Sequence, residues 1–74
     1  MFGWVLDTGA SYHMTSDLPA LIDLFNLAQV VYIMLLDGKI VKVRQAGIVN
    51  LGHGIILKNV HYSLEFKCNL ISVQ

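Results

Sequence analysis

The stretch Trp4-Val5-Leu6-Asp7-Thr8-Gly9-Ala10-Ser11 decides how the chain is read. An apolar run leads straight into Asp-Thr-Gly, and small residues follow. Trp4 to Leu6 reads as a buried strand that carries the Asp7 carboxylate into a partly buried turn. Gly9 lets the backbone turn sharply and approach that carboxylate without a Cβ clash. Thr8 offers a hydroxyl that can hold the turn by hydrogen bonding. Asp, Thr and Gly are also ordinary turn residues, so the tripeptide alone decides little.

Working outward, Ala10 to Thr15 reads as a strand leaving the turn. Ser16 to Ile22 reads as a cap and one or two helical turns, with Ser16 or Asp17 as N-cap and Pro19 in the first turn. Val30 to Leu36 and Lys39 to Arg44 flank Asp37-Gly38, a strong signal for a two-residue hairpin. That turn sets Leu36 opposite Lys39, Leu35 opposite Ile40 and Met34 opposite Val41. One face then holds Tyr32, Met34, Val41 and Val43. The other holds Ile33, Leu35 and Ile40 near the tip, with Lys42 and Arg44 at the base. Such a two-faced hairpin suits a flap that closes over a ligand, with Asp37 and Gly38 at its tip. Ile48 to Leu51 and Ile55 to His61 form a second hairpin around a three-residue turn, Gly52-His53-Gly54. Asn69 to Val73 is a last apolar strand. The fold class is all-β, a small closed β-barrel with at most one short helix.

Seventy-four residues make a single small domain, and a chain of this size is marginal alone. Yet 55% of the residues are apolar and only 14% are charged, a surplus that points to a partner surface. The longest unbroken apolar run, Val30 to Leu36, is far short of the roughly 20 residues that cross a bilayer, so no membrane partner is expected. Met1 is followed by neither a basic stretch nor an apolar core of signal-peptide type. The net charge is zero, and no basic patch of nucleic-acid-binding density appears. The single cysteine, Cys68, excludes an internal disulfide and fits a reducing compartment.

Other candidate groups carry less. His13, His53, His61 and Cys68 match no zinc-finger or knuckle spacing, so no metal or other cofactor is expected. His53, between two glycines, reads as solvated. Cys68 reads as a buried, inert thiol. Ser11 lacks the elbow of a serine hydrolase. Asp17, Asp23 and Asp37 offer no second acid to match Asp7.

Four segments in one order resemble the protease region of copia-type retrotransposon Pol polyproteins. They are Trp4 to Thr15, with its Leu-Asp-Thr-Gly-Ala-Ser and His-Met-Thr; Leu36-Asp37-Gly38; Gly47-Ile48-Val49-Asn50-Leu51; and Leu57-Lys58-Asn59-Val60-His61-Tyr62 with Asn69-Leu70-Ile71-Ser72-Val73. Leu35 replaces a usual Ala, and Ser63-Leu64-Glu65-Phe66 replaces a Val-Pro pair. The resemblance implies a retropepsin-like aspartic endopeptidase, with Asp7 catalytic, Thr8 and Gly9 supporting its turn, and Asp37-Gly38 at a flap tip. It implies a last strand that threads beside the turn and supports it, and a structural hydrogen-bonding role for His13. An aspartic protease needs two carboxylates, so one motif per chain implies a homodimer with Asp7 facing Asp7. A polyprotein peptide would be the substrate, in an intracellular, cytoplasmic setting or a virus-like particle. Residues 1–74 would form one barrel within a larger polyprotein. Strands that interleave in retroviral-type dimers are missing from this segment, so the isolated chain is expected to be inactive and prone to self-association. The alternative is a non-catalytic β-barrel remnant of such an element.

Overall fold

A computed structural model of the chain describes residues 3–73. Its strands are β1 (Trp4–Asp7), β2 (Met14–Thr15), β3 (Leu21–Met34), β4 (Ile40–Gly52), β5 (Ile55–Tyr62) and β6 (Asn69–Ser72). They form one sheet in the order β1-β6-β2-β5-β4-β3. The sheet curls as a half-barrel with β1 and β3 at its edges, in keeping with the all-β, small-barrel expectation.

Two expectations before β3 need correction. The segment from Ser16 to Ile22 is a single 3₁₀ turn at Leu18–Ala20, with no helix beyond it. Pro19 sits in the first turn, and Asp17 occupies the cap position without a side-chain capping bond. Leu21 and Ile22 are already paired with Val49 and Ile48, so sheet pairing overrides the weak local helix signal. The strand leaving the Asp7 turn is also shorter than read: Ala10 to His13 is loop, and only Met14–Thr15 is strand.

The first hairpin has Asp37 and Gly38 at its tip, but its turn is one residue longer than the sequence implied. Gly38 N–H donates to Leu35 O at 2.9 Å, and Leu35 N–H donates to Lys39 O at 2.8 Å. The loop is therefore Leu36-Asp37-Gly38, with Gly38 at φ +86°, a conformation that glycine adopts freely. Met34 pairs with Ile40, Ile33 with Val41, Tyr32 with Lys42 and Val31 with Val43. This one-residue slip reassigns the faces. Val31, Ile33, Val41 and Val43 face the core, whereas Tyr32, Met34, Ile40 and Lys42 are exposed. The second hairpin turns on two residues, not three. Gly52 pairs with Ile55 across His53-Gly54, both with positive φ, and His53 is exposed as expected.

β4 is the spine of this half. It runs unbroken through Gln45–Gly47 and pairs with β3 on one side and β5 on the other. The core gathers on it: Val41 and Val43 are fully buried with Met14 and Phe66, and Ala10, Leu27, Val31, Ile33, Leu35 and Leu70 pack around them. Leu35 packs against the core, and the Ser63 to Phe66 turn delivers Phe66 into it. Gly47 allows β3 to approach closely, because a Cβ there would lie 3.1 Å from Ile22 O.

Candidate active-site turn

Asp7 is the last residue of β1 and is half-buried. Its Oδ1 accepts the Gly9 N–H at 2.8 Å, so the carboxylate itself closes the turn. The Thr8 hydroxyl makes no hydrogen bond among the described residues and does not close the turn within the chain. Gly9 has an ordinary φ, and a Cβ there would stand 3.4 Å from Asp7 Oδ1, a normal contact. The expected Cβ clash at Gly9 is absent from the folded chain. β1 is also not the buried strand expected: Val5 is 52% and Leu6 70% exposed. As an edge strand it has a hydrogen-bonded neighbour on one side only.

What positions Asp7 is β6. It lies between the two arms of the Asp7–Thr15 segment, parallel to β1 and antiparallel to β2. Trp4 pairs with Asn69, Val5 with Leu70, Leu6 with Ile71 and Asp7 with Ser72. The last strand therefore runs directly beside the turn, as the resemblance implied. Side chains complete the brace. Ser72 Oγ donates to Ala10 O at 2.6 Å, and Ser72 N–H donates to His13 Nδ1 at 2.9 Å. Val73 N–H donates to Asp7 O at 3.1 Å. His13 has the structural hydrogen-bonding role expected of it, and its carbonyl also accepts the His61 N–H at 2.8 Å.

Behind the turn lies a buried polar clamp. Asn69, 4% exposed, accepts from the Thr15 hydroxyl through Oδ1 at 2.7 Å and donates through Nδ2 to Gly3 O at 3.1 Å. Thr15 Oγ1 in turn accepts the Asp17 N–H at 3.0 Å. Among the described residues no buried side-chain polar atom lacks a partner, as a stable interior requires. Sequence reasoning gave no role to Thr15, Asn69 or Ser72. The available signal was their recurrence within the quoted segments, since small polar residues amid apolar strands need internal partners.

The Asp37-Gly38 hairpin tip and the Asp7 turn are separate in bonding but share a core. Asp37 Oδ1 accepts the Lys39 N–H at 2.9 Å, an interaction local to the hairpin. No hydrogen bond joins the tip to Asp7 or Gly9 among the described residues. Leu35, next to the hairpin's turn, and Ala10, after the Asp7 turn, pack on the same apolar cluster. Lys39 Nζ lies 3.6 Å from Glu65 Oε2, linking the hairpin to the turn that carries Phe66. Cys68 is exposed, not buried, because the inward-turning residue at this point is its neighbour Asn69. No cluster of three or more metal-ligating side chains occurs among the described residues.

Neither the curated proteins nor the solved structures yield a significant match to the chain. A family model described as Pol polyprotein, beta-barrel domain, does match, over residues 4–74. That span takes in the Asp7 turn, both hairpins and the β6 brace, and the chain belongs to the Pol polyprotein beta-barrel domain family.

Proposed function

We propose that this domain is the aspartic endopeptidase region of a copia-type retrotransposon Pol polyprotein, acting as a homodimer on peptide bonds of that polyprotein. The observation that carries the reading is the setting of Asp7. It ends β1 beside β6, half-buried, with Oδ1 tied to the turn and Oδ2 without a partner among the described residues. A carboxylate held this firmly yet left with one oxygen uncommitted is suited to proton transfer.

One chain supplies one such group, so the pair comes from a second copy across a two-fold axis. Val5 and Leu6, exposed beside Asp7, offer apolar surface for that contact. The unpartnered Thr8 hydroxyl is available to bridge the two turns. Two carboxylates about 3 Å apart cannot both ionise and so share a proton. One acts as base on a water molecule, and the other donates its proton to the peptide carbonyl oxygen. The Asp37-Gly38 hairpin closes over the peptide.

A second reading, the non-catalytic remnant, draws on Gly9. Its φ is ordinary and a Cβ there would make only an ordinary 3.4 Å contact with Asp7 Oδ1, so the folded chain places no steric demand for glycine at this position.

The test is cleavage of a polyprotein-derived peptide at mildly acidic pH, by the chain and by two copies joined through a flexible linker, which raises their effective concentration. The linked form is expected to cleave, and Asp7→Asn in both copies is expected to lower kcat by about 10²–10⁴-fold. Undiminished cleavage by the Asn form would place the chemistry elsewhere. A folded linked dimer without activity would favour the remnant.

A further inference from the structure

A cleft of about 450 Å³ lies behind the turn, between the loop that follows Gly9 and strand β5. Ser11, Tyr12 and His13 line one side, and Lys58, Asn59 and His61 line the other. Its lining contains a lysine, two imidazoles and hydroxyls, and no carboxylate. Lys58 has no ion-pair partner among the described residues.

The β5 wall is shaped by a backbone irregularity. Between the Gly47–Val60 and Val49–Leu57 pairs, β5 spends one more residue than β4, which is a bulge at Lys58-Asn59. Asn59 sits there at φ +56°, the left-handed region that Asn tolerates better than most residues. The detour brings Asn59 O to 2.9 Å from His61 Nδ1. Tyr12 packs against the same imidazole, with ring centroids 4.4 Å apart.

These bonds fix what each imidazole offers. A backbone N–H can only donate, so the bond from Ser72 leaves His13 Nδ1 as acceptor and its proton on Nε2. A carbonyl can only accept, so His61 carries its proton on Nδ1, and in the neutral ring Nε2 is an acceptor. His61 is 6% exposed, but its Nε2 is not among the buried atoms and has no hydrogen-bond partner among the described residues. The lining thus presents a cation, a fixed N–H donor and a fixed acceptor nitrogen.

We propose that this cleft binds a phosphate group that retains one O–H. Lys58 and His13 Nε2–H meet its oxygens, and His61 Nε2 accepts its remaining proton. At about pH 7.5 inorganic phosphate is mostly hydrogenphosphate, with one O–H, and an ordinary imidazole, with a reference value of about 6.5, is mostly neutral. Sulfate has the same size but no O–H to give. The ligand is the free ion, because a phosphate monoester, with its second ionisation at about 6, has lost its last O–H at this pH. The proposal is independent of the endopeptidase reading, since none of these residues is assigned a step in cleavage.

The experiment is an amide-shift titration of the 74-residue chain at about pH 7.5. The probes are inorganic phosphate, phenyl phosphate and sulfate. Phosphate is expected to give saturable shifts confined to residues 11–13, 58–61 and 72, with sulfate at least tenfold weaker. Phenyl phosphate, a dianion without an O–H at this pH, is expected to bind as weakly as sulfate, and binding as tight as that of phosphate would overturn the proposal. Lys58→Ala is expected to weaken phosphate about tenfold, the scale of one lost charge-assisted hydrogen bond. Lys39→Ala should change nothing, and unshifted amides elsewhere verify that both variants are folded. Equal affinity for sulfate and phosphate, equal loss in both lysine variants, or shifts without saturation would overturn the proposal.

Discussion

The half of the sheet built from β3, β4 and β5 and the half built from β1, β6 and β2 are held by different forces. In the first, neighbouring strands pair along the chain through short turns, and fully buried Val41 and Val43 line the seam. In the second, four-residue strands from opposite ends of the sequence meet, and side-chain hydrogen bonds from Thr15, Asn69, Ser72 and His13 fasten them. Apolar packing tolerates imprecision, whereas a buried hydrogen-bonded clamp fixes position. The hydrogen-bonded clamp lies on the side of the sheet that holds Asp7. Apolar packing is left to the hairpins.

Asn69→Ala tests that division most severely. It unpairs the buried Thr15 hydroxyl from its acceptor and strips Gly3 O of its donor, and is expected to cost about 3 kcal/mol. The readout is the shift of the urea midpoint at unchanged slope. A cost below about 1 kcal/mol, typical of an ordinary hydrogen bond, would mean that the clamp contributes little. Val43→Ala removes packing from the other half, with an expected loss of about 2 kcal/mol from transfer and cavity terms. Hydrogen exchange then separates the halves: Asn69→Ala should release β1 and β6 amides first, and Val43→Ala those of β3 and β4. If both variants loosen all strands equally, the two halves are one cooperative unit and the contrast fails.

Gly47→Ala should be milder, about 1–2 kcal/mol, since the new Cβ must push Ile22 O and Leu21 outward from 3.1 and 3.2 Å. No change in stability would show that the β3 edge yields freely. Lys39→Ala should be the smallest, under about 0.5 kcal/mol, because both partners of its ion pair are about half exposed, at 54% and 50%. A larger loss would reveal that the Lys39–Glu65 link holds the hairpin to the Phe66 turn.

How far the sequence could be read follows the same division. Asp37-Gly38 and Gly52-His53-Gly54 mark both hairpins because turn chemistry is local. Local chemistry did not fix the register: whether the Asp-Gly turn has two residues or three depends on which face the core claims. The core claims Ile33 and Val43, so the three-residue turn wins. The Leu21 to Gln29 part of β3 was not legible. It carries an extra residue around Asp23 and three more between Asn26 and Val31 relative to β4, which blurs any two-residue period. Asp7 was legible as a turn carboxylate, and the proximity of β6 came from resemblance. The clamp itself joins residues 54 to 66 positions apart, and no local pattern encodes such pairs.

The parallel pairing of β1 with β6 also has a consequence in time. Trp4 can meet Asn69 only after almost the whole domain has been synthesised. Contacts so distant along the chain form late, since a long loop must close before they return any free energy. The hairpins of β3, β4 and β5 can assemble as the chain emerges, but Asp7 remains an unbraced residue on a loose segment until β6 arrives. Translation therefore sets the order of assembly, and the carboxylate is put in place last.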